Sequence, residues 1–221
     1  MKPYFETELG KLYHGDCLEI MPQLEPVDLV LTDPPYGMNN NVDSRRFSGG
    51  TAGHIAKRGN GGRFRENIIG DDKPFDPRPF LDFPYVILWG SNHYSRHLPV
   101  GTTLVWIKKL DAAFGTFLSD AEIGWANQGC GVYCTRDQSL LANTRNRLHP
   151  NEKPTSLMEW CINKFNIPGT ILDPFIGSGT TAIACERLNR RWIGIEISEE
   201  YCRIAKERIE REIAQKKIPG F

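Results

Sequence analysis

No apolar run in the sequence approaches the roughly 20 residues that a helix needs to cross a membrane. The first ten residues, MKPYFETELG, also lack the apolar centre of a signal peptide, so the sequence predicts a cytoplasmic protein with no membrane partner. An excess of charge is missing too, since 27 lysines and arginines are balanced by 27 aspartates and glutamates. Any binding to nucleic acid must therefore depend on local clusters of basic residues.

Cysteine pairs at zinc-binding spacing are also lacking. Six cysteines are spread along the chain, and only Cys130 and Cys134 lie close together. A zinc site would normally show two close pairs, or one pair with spaced histidines. The pattern predicts free, buried thiols in a reducing compartment and no bound metal.

Along the sequence, short apolar runs alternate with longer amphipathic segments. The 221 residues fit one domain better than two, so a single domain is expected over residues 1–221. Seven runs are predicted strands of a sheet covered on both faces: residues 11–14, 27–32, 85–89, 103–108, 122–126, 170–173 and 192–195. Three segments are predicted helices: residues 154–165, 180–188 and 199–216. This alternation indicates the α/β class.

The segment from residue 37 to about residue 70 has neither a helical nor a strand period. It is rich in glycine, asparagine and arginine, and so long a connection is usually functional or disordered. Its residues 40–65 contain a single acid, Asp43, and six cations suited to DNA phosphates and groove edges: Arg45, Arg46, Lys57, Arg58, Arg63 and Arg65. We expect a target-recognition or DNA-binding loop here, although a solvated loop fits the same composition.

The stretch TDPPYG, residues 32–37, ends an apolar run with an acid and two prolines. Because proline has no backbone N–H, the strand must stop where Asp33 begins. The pattern fits two acceptors held in a stiff backbone, and a simple strand-ending turn capped by Asp33 is the alternative.

A second stretch, residues 171–198, has the pattern strand, glycine turn, helix and strand. The turn Gly177-Ser178-Gly179 allows close approach of a ligand, and Glu196 at the end of the next strand can accept from two ribose hydroxyls. The unit therefore suits a nucleoside. Its glycines also imitate a dinucleotide fingerprint, but Asp173 beside a pyrophosphate is unfavourable, whereas an acid beside a sulfonium or an amino group is favourable. A purely structural glycine turn remains the simplest alternative.

Five motifs together resemble one family, the amino-group DNA methyltransferases. DPPY at 33–36 resembles their catalytic motif, and DPFIGSG at 173–179 resembles their S-adenosylmethionine motif. HGDC at 14–17, HPNEKP at 149–154 and GIEIS at 194–198 also fit. The catalytic motif precedes the cofactor motif, as in the β class. The resemblance implies a Rossmann-like fold with a mostly parallel seven-stranded sheet, helices on both faces and a circularly permuted motif order.

The resemblance implies methyl transfer to adenine N6 in double-stranded DNA, with the base flipped out of the duplex. The catalytic residues would then be Asp33, Pro34, Pro35 and Tyr36. The Asp33 carboxylate and the Pro34 carbonyl would hold the two N–H bonds of the amine, and Tyr36 would stack on the base. Cytosine N4 and RNA adenine are alternative targets. A dinucleotide-dependent oxidoreductase or a non-catalytic DNA-binding module would leave motifs unexplained.

By the same resemblance, S-adenosylmethionine contacts are assigned by position. Phe175 and its neighbours would line the methionine end, Glu196 would take the ribose and Lys153 would approach the methionine carboxylate. The full predicted set is Asp16, Cys17, Asp33, Lys153, Pro154, Asp173, Pro174, Phe175, Gly177, Ser178, Gly179, Thr180, Glu196 and Ile197.

The stretch WGSNHY, residues 89–94, matches the family's target pocket only loosely. Asn92 and His93 are candidate nucleic-acid contacts, and a surface cluster is equally compatible with the sequence. The chain has little room for a large recognition domain. A short recognition sequence and a homodimer are both compatible with that limit.

Overall fold

The computed structural model describes residues 1–37, 69–115, 119–137 and 153–216. Within them the strands are β1 (Phe5–Glu6), β2 (Gly10–His14), β3 (Leu29–Thr32), β4 (Tyr85–Trp89), β5 (Thr102–Ile107), β6 (Ala121–Ala126), β7 (Val132–Arg136), β8 (Ile171–Asp173) and β9 (Trp192–Glu196). The α-helices are α1 (Cys17–Ile20), α2 (Arg78–Leu81), α3 (Thr155–Phe165), α4 (Thr180–Arg187) and α5 (Glu199–Lys216).

All of these strands form one sheet in the order β1-β2-β9-β8-β3-β4-β6-β5-β7. The β1/β2, β4/β6 and β5/β6 pairs are antiparallel, and the other neighbours are parallel. The mostly parallel sheet expected from the sequence is confirmed, but the count of seven strands is too low. Strands β1 and β7 extend its two edges, and the exposed side chains of β7 give it no buried pattern that a sequence could reveal.

Successive residues of the central strands point to opposite faces of the sheet. Leu29 and Leu31 of β3 belong to a core that includes buried residues of α3, α4 and α5. Val30, between them, belongs to a second core that includes residues of α1 and α2. Helices therefore cover both faces, with the three long helices on one face and the two short helices on the other.

The described residues on either side of segment 38–68 lie close together, after the end of β3. The Gly37 N–H donates to the buried Asp71 carboxylate at 2.9 Å, so the two flanks of the intervening segment are joined. The six basic residues expected to contact DNA, Arg45, Arg46, Lys57, Arg58, Arg63 and Arg65, lie outside the described residues.

The six cysteines are all free. The expectation of buried thiols holds for four of them but is wrong for Cys130 and Cys134, which are exposed beside and within the edge strand β7. In the described part of the chain, no helix has the length and apolarity required to cross a membrane.

Candidate active site

The carboxyl ends of β2, β9, β8 and β3 meet at one edge of the sheet, because these strands are parallel neighbours. Three of them bring an acid to that edge. Asp33 follows β3, while Asp173 and Glu196 end β8 and β9. A crevice beyond the carboxyl ends of such strands is the usual ligand site of an open α/β sheet.

A cavity of about 350 Å³ lies at this edge, a volume suited to a small ligand. Ten residues singled out in the sequence line it: Asp16, Cys17, Asp33, Pro34, Pro35, Pro174, Phe175, Gly177, Glu196 and Ile197. The lining does not include Tyr36, Lys153, Pro154, Asp173, Ser178, Gly179 or Thr180. It does include residues that the sequence did not reveal, chiefly Lys73, Phe75, Asp76, Phe80 and Tyr201.

Glu196 fixes the glycine turn that forms one wall of the cavity. Its Oε2 accepts from the Gly177 N–H at 2.9 Å, and its Oε1 accepts from the Ser198 N–H at 2.9 Å. Burial raises the pKa of this carboxyl, while the backbone donors oppose the shift. Each carboxylate oxygen retains a further lone pair for a ligand hydroxyl.

Asp173 was predicted to contact the cofactor, but its carboxylate contacts protein groups behind the cavity wall. One oxygen accepts from Thr32 Oγ1 at 2.6 Å, and the other accepts from Thr181 Oγ1 at 2.5 Å. The Phe175 N–H also donates to it at 3.1 Å, and burial raises its pKa to about 6. Asp173 thus ties β3, β8 and α4 together and holds the turn from which Phe175 reaches the cavity.

The cavity is unevenly charged. Four carboxyl groups line it, those of Asp16, Asp33, Asp76 and Glu196, while Lys73 is the one lysine or arginine among its described lining residues. Phe75, Phe80 and Phe175 form an aromatic cluster at its side, with ring centroids 5.6 to 5.8 Å apart. Such a site suits a ligand that has a flat ring, a positively charged group and one carboxylate. It disfavours a pyrophosphate, because the Gly177 N–H already donates to Glu196.

The acid of the DPPY stretch lies directly after β3 and is held by two donors. The Tyr36 hydroxyl donates to Asp33 Oδ1, and Lys153 Nζ donates to Oδ2 at 2.5 Å. Lys153 Nζ also lies 3.3 Å from the Tyr36 hydroxyl. The structure therefore places Lys153 against the DPPY stretch, whereas the sequence predicted that it approaches the cofactor's carboxylate.

His93 meets the same motif. Its ring stacks on Tyr36 with centroids 4.6 Å apart and planes 11° from parallel. Gly90, with φ +72°, lies so close to Tyr36 that a Cβ there would overlap the phenol ring. Asn92 and His93 are both exposed in the short turn Ser91–His93 beside this ring.

No group of three or more histidines, cysteines, aspartates or glutamates able to hold a metal occurs among residues 1–37, 69–115, 119–137 and 153–216. The ionisable side chains of the described site include carboxylates, the Cys17 thiol, two lysines and the phenols of Tyr36 and Tyr201.

Comparison with known proteins finds similarity to DNA methyltransferases. The family model of the DNA methylases with N6 or N4 specificity matches residues 105–207. Type II methyltransferase M.BamHI of Bacillus amyloliquefaciens is 27% identical over the whole chain. These matches make the chain similar to the amino-group DNA methyltransferases, in agreement with the β-class resemblance of its motifs. The chain spans 62% of the length of M.BamHI, and 93% of the length of type II methyltransferase M2.LlaDCHI of Lactococcus lactis subsp. cremoris, which is 26% identical over 95% of this chain.

Solved methyltransferase structures share the fold. The M1.HpyAVI–SAM complex superposes with a TM-score of 0.54 at 22% identity, covering 90% of this chain and all of that one. The cytosine-N4-specific PvuII DNA methyltransferase superposes with a TM-score of 0.56 at 18% identity, covering 97% of this chain and 94% of that one. The Rossmann-like methyltransferase fold predicted from the motifs is thus confirmed.

Proposed function

We propose that this methyltransferase transfers a methyl group from S-adenosylmethionine to the N6 amino group of adenine in double-stranded DNA. The observation that carries the proposal is the position of Asp33. Its carboxylate follows β3 at the border of the acid-lined cavity, so one residue can face both a bound cofactor and a target base. A non-catalytic DNA-binding module has no use for this arrangement.

The cavity residues fit S-adenosylmethionine. The carboxyl groups offset its sulfonium and amino charges, Glu196 has free lone pairs for the ribose hydroxyls, and the phenylalanine cluster packs against the adenine ring. Lys73 takes the methionine carboxylate, as the one cation among the described lining residues. Structural relatives solved as complexes with this cofactor, M1.HpyAVI and TTHA0409 from Thermus thermophilus, support the assignment.

When bound, S-adenosylmethionine supplies a methyl group whose bond to sulfur breaks, with the electron pair staying on sulfur, as the amine lone pair forms the new C–N bond. Asp33 and the Pro34 carbonyl accept the two amine N–H bonds and stabilise the positive charge that develops on nitrogen. The amine takes the place of the Tyr36 hydroxyl at Asp33 Oδ1. The nitrogen then loses one proton to solvent, which restores a neutral amine.

The choice of adenine rests on Asp33 as the first residue of the motif, since serine is commoner there in cytosine-N4 enzymes. Cytosine N4 is the second candidate, because the PvuII enzyme of that specificity has the same fold. Both reactions place an exocyclic amine between the same two acceptors. The product base therefore discriminates between them.

One experiment tests base and activity together. The protein is expressed in a methylation-free host, and the genomic DNA is sequenced with detection of N6-methyladenine and N4-methylcytosine. We expect N6-methyladenine at one short sequence, and none with Asp33→Ala, which should still bind S-adenosylmethionine in calorimetry. N4-methylcytosine would replace the adenine assignment. Unmodified DNA from a host containing folded, cofactor-binding protein would contradict the proposed DNA methylation.

A further inference from the structure

Four side chains of alternating charge form a row that begins at Asp33. Lys153 Nζ lies 2.5 Å from Asp33 Oδ2 and 3.0 Å from Glu122 Oε2, and Lys108 Nζ lies 2.7 Å from Glu122 Oε1. The Lys153 side chain is only 6% exposed. Of the four, Asp33 alone lines the cavity. The other three therefore act through Asp33 and have no direct contact with a ligand there.

The sheet topology explains why distant residues meet here. Strand β6 is antiparallel to β4 and β5, so it begins at the edge where those strands end. Glu122, the second residue of β6, is paired with Trp106 near the end of β5, and Lys108 follows β5 directly. Lys153 immediately precedes Pro154, the N-cap of α3. The row is thus built from residues in or next to elements that end at one edge of the sheet.

The charges of the row depend on one another. Burial alone would lower the pKa of Lys153, but Asp33, Tyr36 and Glu122 outweigh it and raise that pKa well above its ordinary value. Burial raises the pKa of Asp33, and the Lys153 ammonium is the main force opposing that rise. Glu122 is held ionised, with a pKa of about 2, because Lys153 and Lys108 outweigh its burial.

Other ionisable groups surround Asp33 and feel its charge. The hydroxyls of Tyr36 and Tyr94 and the carboxyl of Asp173 all have raised pKa values, chiefly through burial and in part through Asp33. His93 stacks on Tyr36 at the exposed side. Lys153 is the cation in direct contact with Asp33 among the described residues. Its removal would therefore leave a buried acid beside a second acid, Glu122.

We propose that Lys153 is a positioning residue of the methyl transfer, which keeps the Asp33 carboxylate ionised and oriented to accept the target amine. Glu122, held in turn by Lys108, fixes the Lys153 ammonium against Asp33. The proposal rests on the proposed function, because Asp33 needs its negative charge only if it stabilises a cationic amine. It assigns Lys153 to catalysis and not to cofactor binding.

The test compares Lys153→Met, Lys153→Arg and wild type in transfer of labelled methyl groups to unmethylated genomic DNA from pH 5 to pH 9. For Lys153→Met we expect kcat to fall about 100-fold near neutral pH, the lower range for loss of one electrostatic group at a reacting centre. We also expect the acid limb of the kcat profile to move to higher pH, because Asp33 would keep its proton longer. Lys153→Arg should retain the wild-type limb. S-adenosylmethionine affinity should stay within about twofold in both variants.

Lys109→Met is the matched control, since Lys109 is also buried but pairs with Asp120 at 2.8 Å. It should leave the pH profile unchanged. Infrared titration gives a readout that does not depend on turnover. The band of the protonated Asp33 carboxyl is identified by its loss in Asp33→Asn. As the pH is lowered, this band should appear at a higher pH in Lys153→Met than in wild type. If that variant does not fold, Lys153→Gln serves in both measurements.

Two results would overturn the proposal. One is a wild-type acid limb and carboxyl titration in folded Lys153→Met. The other is a loss of S-adenosylmethionine affinity without loss of kcat, which would return Lys153 to the cofactor. Failure of the proposed function looks different, since wild type itself would then transfer no methyl group to DNA.

Discussion

Replacement of Glu196 by alanine tests how the cavity holds a nucleoside. The carboxylate accepts from two backbone N–H groups at 2.9 Å and has lone pairs left for the ribose of the proposed cofactor. A hydrogen bond to a charged group contributes about 1.5 to 3 kcal/mol, so loss of the ribose contact should weaken S-adenosylmethionine binding about 10-fold to 150-fold. The two orphaned N–H groups should also lower the free energy of unfolding by roughly 1 to 3 kcal/mol each.

Isothermal calorimetry with S-adenosylmethionine measures the first effect, and urea unfolding measures the second. Glu196→Gln retains one carbonyl acceptor and should lie between wild type and Glu196→Ala in both measurements. Glu200→Ala removes an exposed acid from the first turn of α5 and is the matched control. Wild-type affinity in a folded Glu196→Ala protein would refute the ribose contact and leave Glu196 only the role of holding the Gly177 turn.

Three further predictions follow from the same edge of the sheet. Asp173 has a pKa of about 6 in the folded protein against an ordinary 3.8, so the folded state binds its proton more tightly and loses about 3 kcal/mol of stability as pH rises from 3.8 to 6. Urea unfolding should show this loss in wild type and not in Asp173→Asn; equal pH dependence in both would contradict the assignment. Gly90→Ala should lower kcat at least about tenfold, because its Cβ displaces Tyr36. Gly115→Ala should not, since Gly115 has a similar φ of +71° and no atom of the described residues lies within 4 Å of its added Cβ. Equal kinetics of those two variants would show that the position of Tyr36 does not matter. Lys73→Ala should weaken S-adenosylmethionine up to about fivefold, as expected for an exposed ion pair, and leave 5′-methylthioadenosine, which has no carboxylate, unaffected; an equal loss for both ligands would remove Lys73 from the carboxylate.

The parts of the fold that depend on local pattern could be predicted from the sequence. Buried strands such as β3 and β4 are continuous apolar runs, and the ends of α3, α4 and α5 lie within a residue of their predicted limits. The edge strand β7 could not be predicted, because its exposed side chains carry no burial pattern. It is held by its pairing with β5, which is a tertiary contact.

In the site, too, residues marked by a local motif could be predicted, and residues placed by tertiary contacts could not. Acids at strand ends, Asp33 and Glu196, were predictable because they occur in motifs at a recognisable place in the chain. Lys153 is in a motif too, but its partners Asp33 and Glu122 lie far away in sequence, so only the sheet order reveals them. Phe75 and Lys73 had no motif to mark them. The only sequence feature that could have indicated them is the stretch KPFD, residues 73–76, in which a cation, an aromatic ring and an acid lie close together.

The hydrogen bond from the Gly37 N–H to the Asp71 carboxylate joins the two ends between which residues 38–68 run. The ends of that segment are therefore held together by a contact that does not involve the segment. The cost of closing a chain between two fixed ends rises by only about 0.6 kcal/mol for each doubling of its length. Residues 38–68 can therefore be lengthened, shortened or exchanged at little expense to the sheet. The sequence between these two anchors can therefore change while the end of β3 at Asp33 stays in place, and a designer can graft a new segment at the same two points.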